Sequence, residues 1–198
     1  MMSAMPSDDG ALTPAGNGAS GGGERVEHLD VVVVGAGIAG IGMACRVRTE
    51  CPGKSLAILE ARDAIGGTWD LFRYPGIRSD SDMFTLGYNF RPWREARAIA
   101  DGPSIRRYVT ETAAEYGVDE LIRFGQRLVR AEWSSAEARW RLEIELAAGG
   151  MTAVTCSYVA ASTGYFNYEH GFAPEFPGAE RFGGPIVHPQ HWPEGLEW

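Results

Sequence analysis

The stretch HLDVVVVGAGIAGIGMACRVRTE, which begins at His28, constrains the fold more than any other part of the sequence. Leu29–Val34 is a valine-rich run, typical of a strand buried in a parallel sheet. A glycine turn follows, and then apolar residues at helical spacing, which are Ile38, Ile41, Cys45 and Val47. Ser55–Glu60 is apolar again and predicts a second buried strand. Strand, helix and strand within about 30 residues indicate a βαβ unit.

The turn of this unit carries the pattern G-x-G-x-x-G, as Gly35-Ala36-Gly37-Ile38-Ala39-Gly40. Gly35 permits the tight turn, Gly37 lets a pyrophosphate approach the backbone, and Gly40 lets helix and strand pack closely. The helix N-terminus adds free N–H groups that bind phosphates. The candidate cofactor-binding residues of this turn are therefore Gly35, Gly37, Ala39 and Gly40.

Glu60 ends the second strand, 20 residues after Gly40. A carboxylate at this place can accept both ribose hydroxyls of a dinucleotide, and it disfavours a 2′-phosphate. The alternative is a plain glycine turn with a surface glutamate. Strand, glycines, helix and acid together favour the dinucleotide site.

A second glycine pair, Gly66-Gly67, follows Glu60 closely. A backbone that passes beside a flavin's ribityl chain and ring needs such residues. The pattern resembles the FAD site of flavoproteins with two dinucleotide-binding domains, and it makes Gly67 a candidate cofactor-binding residue. The alternative is an ordinary glycine loop over an aromatic core.

Farther along the chain, a helix is predicted from an N-cap at Ser104 to a stop at Gly117. Three alternating segments predict strands: RFGQRLVRAEWS, ARWRLEIELA and MTAVTCSYVAAST. The expected fold is α/β: a Rossmann-like FAD-binding domain with a parallel sheet, a βαβ start and a β-meander insertion, incomplete within these residues. The expected division is a disordered tail at 1–25, an FAD-binding domain at 26–165 and a linker at 166–198.

Composition restricts the function classes. The net charge of −8 and the pI of about 5.0 argue against nucleic acid as a partner. There is no strong membrane signal, since the longest apolar run, Val31–Val34, is far too short to span a bilayer. Three sparse cysteines form neither a metal-ligand nor a disulfide pattern, so no metal is expected. The N-terminus lacks the features of a secretory signal, and the cytoplasm is the expected location.

The stretch GGTWDLFRYPGIRSDSDMFTLGYNFRPW resembles the flavin-binding part of class B flavoprotein monooxygenases, particularly Baeyer–Villiger monooxygenases of the ethionamide-activating type. The resemblance runs from His28 to the C-terminus. It implies that the flavin is wrapped by Thr68, Trp69, Asp70 and Leu71. It further implies that the backbone near Leu128 faces the adenine.

The same resemblance implies that Arg78, Ser79 and Asp80 lie where flavin, nicotinamide and oxygen meet. Asp80 is then a candidate catalytic residue, and Arg78 is a fixed positive charge for the anionic NADPH. The alternative for RSDSD is a solvated turn, because Ser and Asp hydrogen-bond their own backbone.

Near the C-terminus, the sequence fits F-x-G-x-x-x-H-x-x-x-W-P, a fingerprint of this family, with Phe182, Gly184, His188, Trp192 and Pro193. His188 is a candidate catalytic residue. It could be a metal ligand or a general base, but no acidic or cysteine partner stands at ligand spacing. A hydrogen-bonding latch that couples cofactor binding to domain movement is the favoured interpretation.

The resemblance implies a function: NADPH reduces FAD, and O₂ then supplies one oxygen atom to a ketone, or to a sulfur or thioamide compound. NADPH needs a second glycine-motif unit, which the family places after the W-P and which the 198 residues do not contain. The chain is therefore expected to be an N-terminal portion, inactive alone. The alternatives are a non-catalytic FAD-binding module, half of a split flavoprotein with a separately encoded C-terminal half, and a flavin reductase or dehydrogenase.

Overall fold

The computed structural model describes residues 26–196, so the predicted tail at 1–25 lies outside the described part. A parallel sheet forms the centre. Its strands are β1 (Glu27–Val34), β2 (Leu56–Glu60), β3 (Ile122–Phe124) and β6 (Met151–Ala161). They lie in the order β3-β2-β1-β6, with every neighbouring pair parallel. β1 is thus central, as its apolar sequence requires.

Two antiparallel strands extend this sheet into a meander. β4 (Gln126–Ser134) pairs with β5 (Arg139–Leu146), and β5 pairs with the first half of β6. The helices are α1 (Ile38–Glu50), α2 (Thr68–Leu71), α3 (Met83–Leu86) and α4 (Gly102–Glu115). Short 3₁₀ turns lie at Asp119–Leu121, Ala179–Arg181 and Pro189–His191.

The central strands bury both faces, each in its own core. Val33 and Ile58 belong to the core that contains α1 and α4 residues such as Ile41. Val32 and Leu59, one position along each strand, pack with the meander instead, in a second core containing Leu142 and Ile144. Side chains of a strand alternate between faces, so one valine run serves both cores. The predicted fold class, a Rossmann-like α/β sheet with a meander, is confirmed.

One predicted strand is in fact two. RFGQRLVRAEWS divides at Gly125, which has a φ of +65° and separates β3 from β4. β3 pairs with β2, whereas β4 pairs with β5 at the other end of the strand order. A left-handed backbone conformation at a glycine turns the chain at no steric cost, and the alternation of apolar residues alone does not reveal it.

The predicted N-cap of the long helix is wrong by three residues. α4 begins at Gly102, and the Asp101 carboxylate accepts a hydrogen bond from the Ser104 amide at 2.8 Å. Ser104 lies inside the first turn and is buried. Asp and Ser are both good caps, and only the position of Pro103 in the first turn distinguishes them. The predicted stop is sound, since Gly117 has a φ of +61° just past the helix.

Aromatic side chains fix the first turn of α1. The Tyr88 hydroxyl donates to the Ile38 carbonyl at 2.6 Å, and the ring stacks between Phe90 and Tyr108. A Cβ at Gly42 would lie 2.7 Å from the Tyr88 ring, so this glycine, outside the recognised motif, is needed for the packing. The aromatic-rich segment after the second strand therefore supports the glycine turn.

Candidate functional site

The first glycine turn follows β1. Gly35 has a φ of +104°, and its amide donates to the Leu59 carbonyl at 2.8 Å. A Cβ at Gly35 would lie 2.5 Å from the Ser162 carbonyl oxygen, and one at Gly40 would lie 1.8 Å from the Gly35 oxygen. Strand β1, helix α1 and the end of β6 therefore meet at a distance that only glycine allows.

The start of α1 leaves backbone donors without partners. Its N-cap is Gly37, which has no side chain to accept from the first turn. Within residues 26–196, the amides of Gly37, Ile38, Ala39 and Gly40 have no hydrogen-bond acceptor. Free amides at a helix N-terminus, together with the helix dipole, favour an anion. The turn therefore fits the pyrophosphate of a dinucleotide.

Glu60 lies under this turn. It is 7% exposed, and its Oε2 accepts from the Ala36 amide at 2.7 Å. Its Oε1 accepts from the Arg62 amide at 2.9 Å. Each carboxylate oxygen has a second lone pair, so it can still accept a hydrogen bond from a ribose hydroxyl. The glutamate therefore has a use that sequence reasoning did not foresee, which is to hold the glycine turn itself.

The second glycine turn packs directly on the first. Gly66 and Gly67 have φ of +127° and +55°, and the Gly66 amide donates to the Ala36 carbonyl at 3.0 Å. A Cβ at Gly67 would lie 3.1 Å from the Gly37 Cα, while one at Gly37 would lie 3.7 Å from the Gly67 Cα. The two backbones are therefore in direct contact, at a distance that leaves little room for a side chain. The free amides beside this contact are the fit expected for a dinucleotide that runs along the two turns.

The four residues of α2 differ in their surroundings. Thr68, Trp69 and Leu71 are half-buried, but Asp70 is only 1% exposed. Its carboxylate bonds Arg62, Arg106 at 3.0 Å and Arg73 at 3.2 Å. A buried carboxylate requires such cations. Sequence reasoning missed these arginines. Arg73 and Arg62 are near Asp70 in sequence but form no recognised pattern, and Arg106 comes from the distant helix α4.

The RSDSD segment combines a turn with two exposed charges. Ser79 is 2% exposed, and its hydroxyl donates to the Ser81 carbonyl at 2.6 Å. Arg78 and Asp80 on either side are exposed. Within residues 26–196, Asp80 makes no hydrogen bond or ion pair. The serine hydroxyl is therefore engaged in the turn, whereas both charged groups are available to a ligand.

Leu128 lies in β4 opposite Ile144, and the register shifts between Leu128 and Arg130. Its side chain packs in the meander core, which leaves only the backbone for the adenine contact that was predicted. The described residues contain no group of three or more His, Cys, Asp or Glu side chains that could hold a metal ion. Likewise, none of their helices has the length and apolarity to cross a membrane.

The fingerprint segment folds back on the residues that follow β6. His188 Nδ1 accepts from the Gln190 amide at 3.2 Å, so the neutral ring can donate from Nε2 to the Phe172 carbonyl, 3.3 Å away. Gln190 is 7% exposed and bonds the carbonyls of Asn167 and Tyr168. Sequence reasoning missed Gln190, which occupies an unspecified position of the fingerprint.

A cleft of about 530 Å³ separates this segment from α2 and the residues after it. One side is formed by Leu71, Arg73 and Pro75, and the other includes Gln190, Trp192 and Pro193. The structure therefore places the W-P pair beside the end of α2. The glycine turns, Glu60 and α2 form one continuous site, whereas Asp80 and His188 do not contact each other.

Residues 33–101 match the family described as NAD(P)-binding Rossmann-like domain. The chain is 56% identical over 173 residues to the putative FAD-containing monooxygenase MymA of Mycobacterium tuberculosis. It is also 56% identical over 172 residues to the FAD-containing monooxygenase EthA of the same organism. Each alignment covers 87% of this chain and 35% of the relative.

Solved structures agree with these relatives. An oxidized steroid monooxygenase bound to NADP superposes with a TM-score of 0.68 at 32% identity, covering 84% of this chain and 32% of that chain. The protein thus spans about a third of the length of the proteins it matches. With the glycine turns and the fingerprint in place, the chain matches an N-terminal part of FAD-containing monooxygenases, and its structural neighbours are Baeyer–Villiger monooxygenases.

Proposed function

We propose that the chain binds FAD along its two glycine turns and serves as the FAD-binding part of an NADPH- and O₂-dependent monooxygenase. The observation that carries this proposal is the set of free amides at Gly37–Gly40, facing the Gly66–Gly67 turn with Glu60 beneath. The relatives named as FAD-containing support the choice of flavin.

The residues divide the work of holding the cofactor. The amides at the start of α1 bind the pyrophosphate, and Glu60 accepts from the ribose. The backbone at Gly67 and the side chains of Thr68, Trp69 and Leu71 shape the path of the ribityl chain and ring, and the backbone near Leu128 faces the adenine. Asp70 does not contact the cofactor in this proposal; it holds Arg62, Arg73 and Arg106 in place through ion pairs. Bound FAD supplies the redox and oxygen-activating chemistry.

Arg78 and Asp80 are the charged groups proposed to act near the reaction. Arg78 is a permanent cation, suited to the anionic NADPH. Asp80 is exposed and unpaired in the described residues, so it needs a cation from elsewhere when the flavin is reduced. The proposed substrates are ketones, or sulfur and thioamide compounds, with one oxygen atom transferred from O₂. His188 is proposed to act as a latch.

We assign residues 26–165 to the FAD-binding unit and 166–198 to the connection toward an NADPH-binding unit. That unit is supplied by sequence beyond these 198 residues, in one polypeptide or as a separately encoded half. Because the chain spans 35% of its relatives, a non-catalytic FAD-binding module is the second candidate. A reducing cytoplasm suits its three free cysteines.

The test is a titration of the protein with FAD, in which binding is measured through the change in flavin fluorescence. Gly37→Ala adds a methyl group at ordinary contact distance from Gly67, so the protein should fold while the phosphate path is blocked. The affinity should fall by about tenfold or more, which corresponds to about 1.4 kcal/mol. Gly183→Ala, where a Cβ meets nothing within 4 Å, is the matched control.

Two results would contradict the proposal: an unaltered protein that takes up no FAD, or a Gly37→Ala variant that binds as tightly as the control. NADPH consumption distinguishes the two candidates. The monooxygenase part requires added NADPH-binding sequence before NADPH is oxidised with uptake of O₂. A non-catalytic module does not oxidise NADPH even when the NADPH-binding sequence of a relative is joined to it.

A further inference from the structure

Gln190 is a buried polar side chain whose amide nitrogen is fully used. Nε2 donates to the Asn167 carbonyl at 3.0 Å and to the Tyr168 carbonyl at 2.7 Å. These bonds join the 3₁₀ turn Pro189–His191 to a segment more than 20 residues earlier in the chain. Because a buried amide that loses its acceptors is costly, the Gln190 side chain favours the backbone position in which both carbonyls are within its reach.

Tyr168 in turn reaches the glycine turns. Its hydroxyl oxygen lies 3.4 Å from the position of a Cβ at Gly67 and 4.0 Å from one at Gly164. The Arg62 guanidinium lies over its ring, 5.6 Å from the centroid. Burial raises the pKa of Tyr168, and a hydrogen bond with the Thr68 side chain opposes this in part, so the hydroxyl keeps its proton at neutral pH and lies beside the first residue of α2.

Gly67 is the residue that faces Gly37 and the free amides of α1. The Tyr168 hydroxyl therefore lies beside the two glycine turns along which the dinucleotide is proposed to run. Tyr168 occurs in none of the sequence motifs discussed above. The contacts form an unbroken series from Gln190 through Tyr168 to Gly67.

We propose that Gln190 is a positioning residue that sets Tyr168 against the second glycine turn, and that the Tyr168 hydroxyl donates a hydrogen bond to the dinucleotide bound there. The second half rests on the proposed function, in which that dinucleotide is FAD. The Gln190–Tyr168 clamp thus connects the fingerprint segment physically to the cofactor site.

His188 does not share this role. Its ring bonds the Phe172 carbonyl and the Gln190 amide, and it lies against Gly171, where a Cβ would be 2.1 Å from the ring. It makes no hydrogen bond to Tyr168 within the described residues. The fingerprint histidine therefore holds the far end of the loop, whereas the glutamine holds the end beside the cofactor.

The first experiment needs no cofactor. Amide hydrogen exchange of the full chain is compared for the unaltered protein, Gln190→Ala and Gln190→Glu, which keeps the length but loses the donor. Within residues 166–170, the amides of Glu169 and His170 donate to Asn167 Oδ1, and both variants should accelerate their exchange about tenfold or more, while α1 and α4 stay protected. His191→Ala is the neighbouring control. Unchanged exchange in both variants would overturn the positioning role.

The second experiment measures FAD affinity. Tyr168→Phe removes only the hydroxyl and should weaken binding about fivefold, whereas Tyr165→Phe, at a side chain 89% exposed, should not. If Gln190 acts through this hydroxyl, Gln190→Ala weakens binding in the unaltered protein but adds little to Tyr168→Phe. Equal affinities for Tyr168→Phe and Tyr165→Phe, or fully additive losses, would overturn the proposal.

The two experiments separate two kinds of failure. An unaltered chain that takes up no FAD overturns the proposed function and the hydrogen bond from Tyr168 with it. Exchange in residues 166–170 still decides independently whether Gln190 positions this segment. If FAD binds tightly and Tyr168→Phe leaves its affinity unchanged, the proposed hydrogen bond from Tyr168 is overturned while the proposed function stands.

Discussion

Asp70 is a single carboxylate with arginines on several sides, and it shows how much one residue contributes to this site. Arg62 also approaches the Gly67 carbonyl at 3.4 Å, and the Arg106 side chain lies against Gly66. The carboxylate therefore ties the second glycine turn to α4. Its proposed role in the FAD site is to order the surroundings, because its own oxygens face the guanidinium groups.

Replacing Asp70 by Asn should destabilise the protein strongly. The loss should be about 2 kcal/mol, because three guanidinium groups lose their carboxylate; it stays below the cost for a fully buried pair because Arg73 and Arg106 are largely exposed to solvent. Urea unfolding measures the loss. Asp63→Asn, an exposed aspartate nearby without an ion pair in the described residues, is the control and should change the free energy of unfolding by less than about 0.5 kcal/mol.

The cysteines should differ in reactivity. Cys51 is exposed, whereas Cys45 and Cys156 are 1% and 0% exposed, and burial raises the pKa of each to about 11. At pH 8 a thiol reagent should therefore modify Cys51 rapidly and the other two only on unfolding. Mass spectrometry of labelled peptides measures this. Fast labelling of Cys156 in the folded protein would contradict the described packing of the meander.

Several residues of this site follow from the sequence, and others do not. Gly35, Gly37, Gly40 and Glu60 could be predicted because their spacing reflects one local constraint, a strand turning into a helix around a phosphate. Gln190 and Arg106 could not, because their partners lie far away in sequence. Local periodicity contains no information on which distant carbonyl or carboxylate a side chain will meet.

At the scale of elements, α4 depends on its cap. The Ser104 amide lowers the pKa of Asp101 by hydrogen bonding the ionised carboxylate. Asp101→Ala should cost about 1 kcal/mol of stability at pH 7, measured by urea unfolding. Ser104→Ala tests the cap that the sequence predicted, and it should cost less. A larger loss for Ser104→Ala would show that the helix begins where the sequence indicated.

The cap also gives a pH dependence. The pKa of Asp101 is lower in the folded than in the unfolded state, so its contribution is present above the unfolded value of about 3.9. It is lost as pH falls through the folded pKa. The stability difference between the unaltered protein and Asp101→Ala should therefore shrink below about pH 4, and a constant difference would contradict the hydrogen bond.

Element boundaries show why sequence patterns fall short. The apolar alternation of Arg123–Ser134 is compatible with one strand, and only the φ of +65° at Gly125 divides it. The glycine could be noticed in the sequence, but its conformation depends on contacts with the Arg62 and Ala147 backbone. The helix stop at Gly117 is different, because a glycine after a helix has a local reason to be there.

At the scale of the whole molecule, two cores share the central strands, with helices on one side and the meander on the other. The sequence could predict this architecture, because the valine run and the three alternating segments differ in periodicity. It could not place the fold-back after β6. That segment also exposes large apolar side chains, among them Tyr165, Phe172 and Phe182.

Ligand binding should stabilise the whole chain. At 100 times its dissociation constant, FAD should add about 2.7 kcal/mol and raise the melting temperature by roughly 5 °C or more for a protein of this size. Riboflavin lacks the pyrophosphate and adenosine, so it should leave the melting temperature unchanged. Equal shifts with both ligands would show that the start of α1 is not the phosphate site.

β6 pairs with β5 over Met151–Cys156 and with β1 over Val154–Ala161, and Ser162, which follows it, lies beside Gly35. One strand therefore belongs to the outer meander and also leads to the cofactor turn. A tilt of the meander is expected to move the Ser162 carbonyl, which leaves no room for even a methyl group at Gly35. Sequence changes in the hairpin near Gly149–Gly150 that reorient β6 should therefore shift the Gly35 turn. They should alter the affinity for flavin although they lie far from the glycine turns.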